Sequence, residues 1–204
     1  MNTVPKLWPG CTMVLLGAGP SLTREDVESV KGRARVLAIN RTFELAPWAD
    51  VFYSADEKPF RWYADLGLRE CQGLKYSLTN GVQKMGVTLL RRGLESGLSL
   101  DPNVLHTGKN SGYSAINLAV HLGATRIVLL GYDMQRGPKG EEHYHADHPN
   151  KSRAKYEVFQ SFFPSLVEPL QAAGVSIANC SRRTALECFP RMQLDAALRE
   201  AVAA

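Results

Sequence analysis

The stretch Thr12-Met13-Val14-Leu15-Leu16-Gly17-Ala18-Gly19-Pro20-Ser21 decides the fold of this chain. After Thr12, the residues Met13 to Leu16 form a continuous apolar run, which is typical of a strand buried on both faces of a parallel sheet. The two glycines then allow a sharp turn, and Thr23 is a suitable N-cap for a helix that we predict over residues 23–31. A strand, a glycine turn and a helix in this order form the first part of a βαβ unit.

The same alternation continues along the chain. Apolar runs predict further strands at 35–39, 50–54, 74–78, 104–106, 126–130 and 175–178. Helical patterns occur at 84–97, 111–122 and 153–173, and the segment 191–204 is predicted to be a C-terminal helix, while 135–152 is a polar, histidine-rich loop. We therefore predict a single nucleotide-binding domain over residues 1–204. Its fold class is α/β, a doubly wound, Rossmann-like and mostly parallel sheet with helices on both faces.

Composition and charge narrow the classes of function. Of the 204 residues, 45% are hydrophobic and 22% are charged, which is ordinary for a globular domain. The net charge of +4 suits an anionic small ligand, but no clustered basic stripe indicates a nucleic-acid surface. The four scattered cysteines and the absence of a signal pattern or a long apolar run predict a cytoplasmic protein without a membrane partner. A homo-oligomer stays open.

Polar and glycine-rich residues follow several of the predicted strands. In doubly wound folds, ligands bind at the carboxyl ends of the strands, so these residues are expected to form one ligand site. The candidates are Gly17, Gly19, Pro20, Ser21, Asn40, Asp56, Asn110, Ser111, Gly112 and Asp133. The first loop matches neither of the common phosphate-binding patterns, because Leu22 takes the third glycine position and no Gly-Lys-Ser/Thr follows. An ordinary βα turn is the alternative interpretation.

A cluster of histidines lies late in the chain, in the pattern His143-x-His145-x-Asp147-His148. The three histidines are candidate catalytic residues, since imidazole transfers protons near neutral pH. Alternatively, His143, His145 and Asp147 are candidate ligands of a divalent metal. The spacing also occurs in metallo-β-lactamase-fold hydrolases, but no histidine follows His148 to complete their metal site. A solvated polar loop is the third reading.

Four motifs in one order carry a resemblance to known families. They are Gly17-Ala18-Gly19-Pro20-Ser21-Leu22, Ala38-Ile39-Asn40, Asn110-Ser111-Gly112-Tyr113-Ser114-Ala115-Ile116 and Leu130-Gly131-Tyr132-Asp133-Met134. Together they resemble the domain-of-unknown-function 115 group, which includes archaeal 6-hydroxymethylpterin diphosphokinase MptE-like proteins. Small phage-type members with a His-x-His-x-Asp-His-Pro segment look most similar. More remotely, the chain resembles the family 42 sialyltransferases of bacteria, which use CMP-sialic acid.

The sialyltransferase resemblance implies which residues hold a nucleotide and which act as catalyst. The positions that match its nucleotide contacts are Gly19, Ser21, Asn40, Asp56, Ser111 and Gly112. Asp56 stands where that family has Asn, so the base of the nucleotide stays open. The catalytic base would be one of the three histidines of the late cluster.

Three functions follow as hypotheses. The first is a glycosyltransferase-like enzyme that uses a nucleotide-activated donor, such as a CMP-sugar, with a loop histidine as general base. The second is a diphosphokinase-like enzyme with Mg²⁺ held by Asp56, Asp133 or Asp147. The third is a non-enzymatic nucleotide- or metal-binding phage protein. The acceptor is not predicted.

Overall fold

A computed structural model describes residues 3–63, 68–145 and 154–199 of the chain. Its strands are β1 (Cys11–Leu16), β2 (Arg35–Ile39), β3 (Val51–Ser54), β4 (Leu74–Ser77), β5 (Val87–Leu89), β6 (Arg91–Arg92), β7 (Val104–Leu105), β8 (Ala124–Leu130) and β9 (Ser176–Asn179). Its α-helices are α1 (Arg24–Ser29), α2 (Lys58–Tyr63), α3 (Ser111–Leu122), α4 (Tyr156–Gln160), α5 (Val167–Ala172) and α6 (Leu194–Arg199). Short 3₁₀ turns cover Asn40–Glu44, Leu68–Glu70, Gln83–Met85 and Phe163–Leu166.

Within the described residues, seven strands form one parallel sheet in the order β5-β4-β3-β2-β1-β8-β9. The central strand β1 pairs with β2 on one side and with β8 on the other, so that Leu16 lies beside both Ala38 and Leu130. The order of the strands reverses between β1 and β8. In a doubly wound sheet, this reversal opens a crevice at the carboxyl ends of the two strands.

Apolar side chains on both faces of the sheet form two separate clusters. Met13 and Leu15 of β1 face the cluster that contains the buried side of α3. Val14 and Leu16 face the opposite cluster, where they pack with Val27 of α1. All four of these β1 side chains are fully buried. Successive side chains of β1 thus point to opposite faces of the sheet and pack into both clusters. A parallel sheet with a core on each face confirms the predicted doubly wound α/β fold.

The predicted helix at 84–97 is wrong. Gly86, in a left-handed conformation (φ +74°), ends the short turn Gln83–Met85, and the β-branched pair Val87-Thr88 then opens the edge strand β5. Strand β6 follows and pairs with β7 in a separate two-stranded sheet. β-Branched residues favour strands, and here the pairing of β5 with β4 outweighs the weak helical pattern.

The predicted long helix at 153–173 is broken into three pieces, namely α4, the turn Phe163–Leu166 and α5. Pro164 lies at the start of the turn, where its missing N–H cannot continue the hydrogen-bonding pattern of α4. In the C-terminal segment the helix begins at Leu194, because Arg191 instead bridges to Asn179 beside β9. Residues 200–204 lie outside the described part. No helix in the described ranges has the length and apolarity needed to cross a membrane.

Candidate functional site

A cavity of about 140 Å³ opens at the carboxyl end of β1, at the place where the strand order reverses. Its walls come from the turns after β1, β2 and β8, from the first turn of α3 and from the start of α4. The lining residues are Gly17, Ala18, Gly19, Ile39, Asn40, Asn110, Ser111, Gly112, Gly131, Tyr132, Met134, Gln135, Glu142, His143, Ala154, Tyr156 and Phe159.

The glycine loop after β1 (residues 17–21) is hydrogen-bonded to the end of β8. The N–H of Gly17 donates to the carbonyl of Leu130 (2.8 Å), and the N–H of Gly19 donates to that of Gly131 (2.9 Å). A Cβ at Gly17 would lie only 2.6 Å from the Gly131 carbonyl oxygen. These glycines therefore let two strand ends approach closely, and their N–H groups bond to β8 instead of a phosphate.

Asp133 supports the glycine loop from beneath. Its side chain is buried and accepts hydrogen bonds from the backbone N–H of Ser21 (2.8 Å) and from the Ser21 hydroxyl (2.8 Å). Burial raises the pKa of Asp133, although the two bonds from Ser21 oppose that rise. Pro20, Ser21 and Asp133 do not line the cavity. As the structure places them, they shape the loop that does.

Asn40 lines the cavity at the end of β2 in an unusual backbone conformation, with φ +55°. Asn tolerates this left-handed region better than most residues do. The Thr42 hydroxyl holds the turn, since it accepts from the N–H of Ile39 (2.8 Å). The Oδ1 atom of Asn40 is buried and accepts no hydrogen bond from any described residue. A buried acceptor without a donor is rare in native proteins.

The first turn of α3 forms a further wall of the cavity. The Asn110 side chain caps the helix by accepting from the N–H of Tyr113 (2.9 Å). The Ser111 hydroxyl accepts from the N–H of Ala55 (3.1 Å), which joins α3 to the end of β3. The N–H groups of a helix's first turn lack intrahelical partners and lie at the positive end of its dipole. Because Asn110 takes the N–H of Tyr113, Ser111 and Gly112 of the cavity wall carry the N–H groups of this turn that are suited to an anion.

Asp56, the remaining predicted ligand residue, is exposed just after β3 and is not part of the cavity wall. The structure therefore brings together Gly17, Gly19, Asn40 and the start of α3, but leaves Asp56 to one side.

Of the predicted catalytic histidines, His143 lines the cavity. Its ring stacks on that of His145, with centroids 5.0 Å apart and planes inclined by 17°. Asp147 and His148 lie outside the described residues. In the described part of the chain, no three His, Cys, Asp or Glu side chains form a group that could hold a metal ion. The predicted metal site includes Asp147, so it stays a prediction.

Glu142, Tyr156 and Phe159 of the cavity wall are not among the site residues predicted from the sequence. Burial acts to raise the pKa of Glu142, but the Arg136 guanidinium (2.8 Å) and the N–H of Ala154 outweigh burial and lower that pKa. The Tyr156 hydroxyl donates to the Glu142 carbonyl (2.9 Å), and burial raises the pKa of Tyr156 to about 12. The one signal for Glu142 in the sequence is its place directly before His143.

The fold is similar to that of the sialyltransferase CstII from Campylobacter jejuni, solved in complex with a substrate analogue, cytidine-5'-monophosphate. The superposition covers 91% of this chain and 86% of that one, with a TM-score of 0.52 and 11% sequence identity. At this identity the likeness shows a shared fold.

Comparison by sequence adds nothing to this structural likeness. No family model matches the chain, and no curated protein sequence matches it. The sialyltransferase part of the resemblance is thus supported at the level of the fold. The resemblance to the domain-of-unknown-function 115 group stays a prediction.

Proposed function

We propose that this protein is a transferase that uses a nucleotide-activated donor, a CMP-linked sugar, with His143 as the general base. The observation that carries the proposal is the cavity where the strand order reverses. The wall of this cavity contains the start of α3, the imidazole of His143 and Asn40. The buried Oδ1 of Asn40 has no hydrogen-bond donor among the described residues. The shared fold with a sialyltransferase that was solved with CMP supports the choice of nucleotide.

Asn40 supports a ligand that presents a hydrogen-bond donor. Its buried Oδ1 accepts no bond from the described protein atoms. A ribose hydroxyl or a base amino group would satisfy this atom. Leaving such an atom unpaired costs about 1–3 kcal/mol, so a matching ligand recovers a comparable free energy on binding.

The charge of the cavity favours a donor with a single phosphate. Among the described lining residues there is no Lys or Arg, and the Glu142 carboxylate is already paired with Arg136. Positive potential therefore comes from the start of α3. Such a wall suits the one negative charge of a CMP-sugar phosphodiester better than a triphosphate, whose neutralisation usually needs a cation.

The proposed chemistry is a single displacement at the anomeric carbon of the donor sugar. His143 takes the proton of an acceptor hydroxyl while the acceptor oxygen bonds to that carbon. The bond from the carbon to the phosphate oxygen breaks, and CMP leaves with the electron pair. The N–H groups of Ser111 and Gly112, in the first turn of α3, stabilise the charge that develops on the departing phosphate.

The two alternatives have less support. For a Mg²⁺-dependent diphosphokinase, Asp133 would need a free carboxylate, but both of its oxygens accept from Ser21. Asp56 is exposed beside the cavity, and Asp147 lies outside the described residues. For a non-enzymatic nucleotide-binding protein, no structural feature argues in particular. The binding and turnover experiments below distinguish both alternatives from the proposed transferase.

The first test measures ligand binding to the full chain by thermal unfolding and by calorimetry. CMP, UMP, CMP-sugars, UDP-sugars and ATP with Mg²⁺ are compared. We expect CMP and CMP-sugars to stabilise the protein. A ligand at 100 times its Kd adds about 2.7 kcal/mol, which raises Tm by several degrees in a domain of this size. Stabilisation by ATP with Mg²⁺ alone would favour the diphosphokinase.

Two variants then separate binding from chemistry. Asn40→Ala is expected to weaken CMP binding about tenfold, the effect of one hydrogen bond to a buried group. His143→Ala should still bind CMP but lose about 10²–10⁴-fold in the rate of CMP release from the donor. His106→Gln is the matched control, because His106 bonds to the Ser96 carbonyl away from the cavity. If the wild-type chain binds CMP but does not release it from any donor, the transferase is contradicted and the non-enzymatic nucleotide-binding protein is supported.

A further inference from the structure

Tyr144, which lies between the two described histidines, fastens the histidine loop to the rest of the fold. Its backbone N–H donates to the carbonyl of Ala18 (3.1 Å), and its hydroxyl donates to the carbonyl of Arg41 (2.9 Å). Its ring packs against the apolar cluster that includes Val14 and Leu16 of β1. One residue thus supplies two hydrogen bonds and an apolar contact to the loop.

The two acceptors of Tyr144 lie in turns that form different walls of the cavity. Ala18 lies in the glycine loop, and Arg41 directly follows Asn40. Because Asn40 adopts a left-handed conformation, the turn around it is restrained by its contacts and not by backbone preference. The bond to the Arg41 carbonyl is such a contact, so Tyr144 joins the histidine loop to the turn that presents Asn40.

The direction of the Tyr144 side chain also places the neighbouring imidazoles. With the Tyr144 ring against the core, His143 faces the cavity, and His145 stacks on His143. The edge of the Tyr144 ring contacts His145, with centroids 4.9 Å apart and planes at 88°. Both rings beside Tyr144 are therefore placed relative to a residue that is itself anchored to β1 and β2.

We infer that Tyr144 is a positioning residue that holds His143 and Asn40 at the same time. The inference rests on the proposed function only where it concerns the ligand. Tyr144 contacts neither donor nor acceptor in this scheme, and it acts through Asn40 on binding and through His143 on transfer.

The first experiment needs no ligand. Hydrogen exchange is compared between the wild-type chain and Tyr144→Phe, which keeps the ring but loses the bond to Arg41. We expect exchange in 135–145 and in 40–44 to become about fivefold to tenfold faster, the factor for one hydrogen bond. Tyr113→Phe is the matched control, because its hydroxyl donates to the Gly97 carbonyl (3.0 Å) and not to this loop. Unchanged exchange in both segments of Tyr144→Phe would overturn the inference.

The second experiment is a double-mutant cycle on the Kd for CMP, using Tyr144→Phe, Asn40→Ala and the double variant. If Tyr144 acts through Asn40, Tyr144→Phe weakens CMP binding severalfold in the wild-type background and has little further effect in Asn40→Ala. Fully additive effects would show a merely structural role and overturn the positioning role. If the wild-type chain does not bind CMP, the proposed function fails, whereas the exchange experiment still decides whether Tyr144 anchors the loop.

Discussion

At the scale of single residues, the site depends on polar groups that are already committed to one another. The sequence presents Asp133 as a ligand-binding residue, yet the structure gives both of its oxygens to Ser21. The exception is Asn40, whose buried Oδ1 has no donor among the described residues. Both side chains follow strand ends, but Asp133 supports the glycine loop, whereas Asn40 has an acceptor left for a ligand.

The role of Asp133 leads to a prediction about stability. Asp133→Ala should lower the free energy of unfolding by about 1–3 kcal/mol, because it leaves the partly buried N–H of Ser21 without an acceptor. Ser21→Ala should cost less, since the N–H still donates to the carboxylate. Urea denaturation of both variants measures the difference. An equal or smaller loss in Asp133→Ala would mean that the carboxylate does not hold the loop.

At the scale of elements, short helices depend on their caps. Helix α1 is six residues long, and its cap Thr23 both accepts from the N–H of Asp26 (3.1 Å) and donates to its carboxylate (2.8 Å). Arg182 adds two further hydrogen bonds to Asp26. A helix this short gains little from intrinsic propensity, so such end contacts decide where it begins.

Asp26 gives a prediction about pH dependence. Burial acts to raise the pKa of Asp26, but Arg182 and Thr23 outweigh burial and lower it below its usual 3.8. A lowered pKa in the folded state stabilises the protein above the unfolded value, and this contribution is lost as pH falls through the folded value. Asp26→Asn should therefore cost about 1 kcal/mol near neutral pH and progressively less in acid.

Unfolding free energies across that pH range are the measurement. Glu25→Gln is the matched control, because Glu25 also pairs with Arg182 (3.5 Å) but its side chain is 87% exposed. It should change stability little at any pH. A loss in Asp26→Asn that does not shrink in acid would contradict the assigned origin of the stabilisation.

At the scale of the whole molecule, the site exists because the ends of β1 and β8 meet at the reversal of strand order. Gly17 and Gly131 make this approach possible, since a Cβ on either one would overlap the other's carbonyl group. The cavity walls then come from segments far apart in the sequence, from the glycine loop to α4. Close packing of these two strand ends therefore sets the position of the glycine loop in the cavity wall.

This packing is tested by two glycine substitutions with similar backbone angles. Gly131 has φ +67° and Gly32 has φ +74°, so alanine at either position pays about 1–2 kcal/mol of backbone strain. Only Gly131→Ala also meets Gly17 and Leu22, whereas a Cβ at Gly32 has nothing within 4 Å. We expect Gly131→Ala to lose about 1–3 kcal/mol more than Gly32→Ala in denaturation experiments. Equal losses would show that the strand ends are not tightly packed.

Local patterns in the sequence were sufficient for much of the fold. The apolar run of β1, the cap Thr23 and the helix at 111–122 are all confirmed, because each depends on contacts within a few residues. The helix predicted at 84–97 is wrong because the structure of this segment depends on a distant part of the chain. Its strand β5 is stabilised by pairing with β4, a contact that a local helical pattern does not reveal.

The candidate site divides in the same way. By itself, the sequence determined which turns follow the strands, and strand order then brings Gly17, Gly19, Asn40 and Ser111 to one crevice. Only the tertiary structure decided that Asp133 supports a loop, that Asp56 stands aside, and that Tyr144 anchors the described histidines. These roles depend on which distant backbone atoms each side chain meets, and residue type and spacing along the chain do not carry that information.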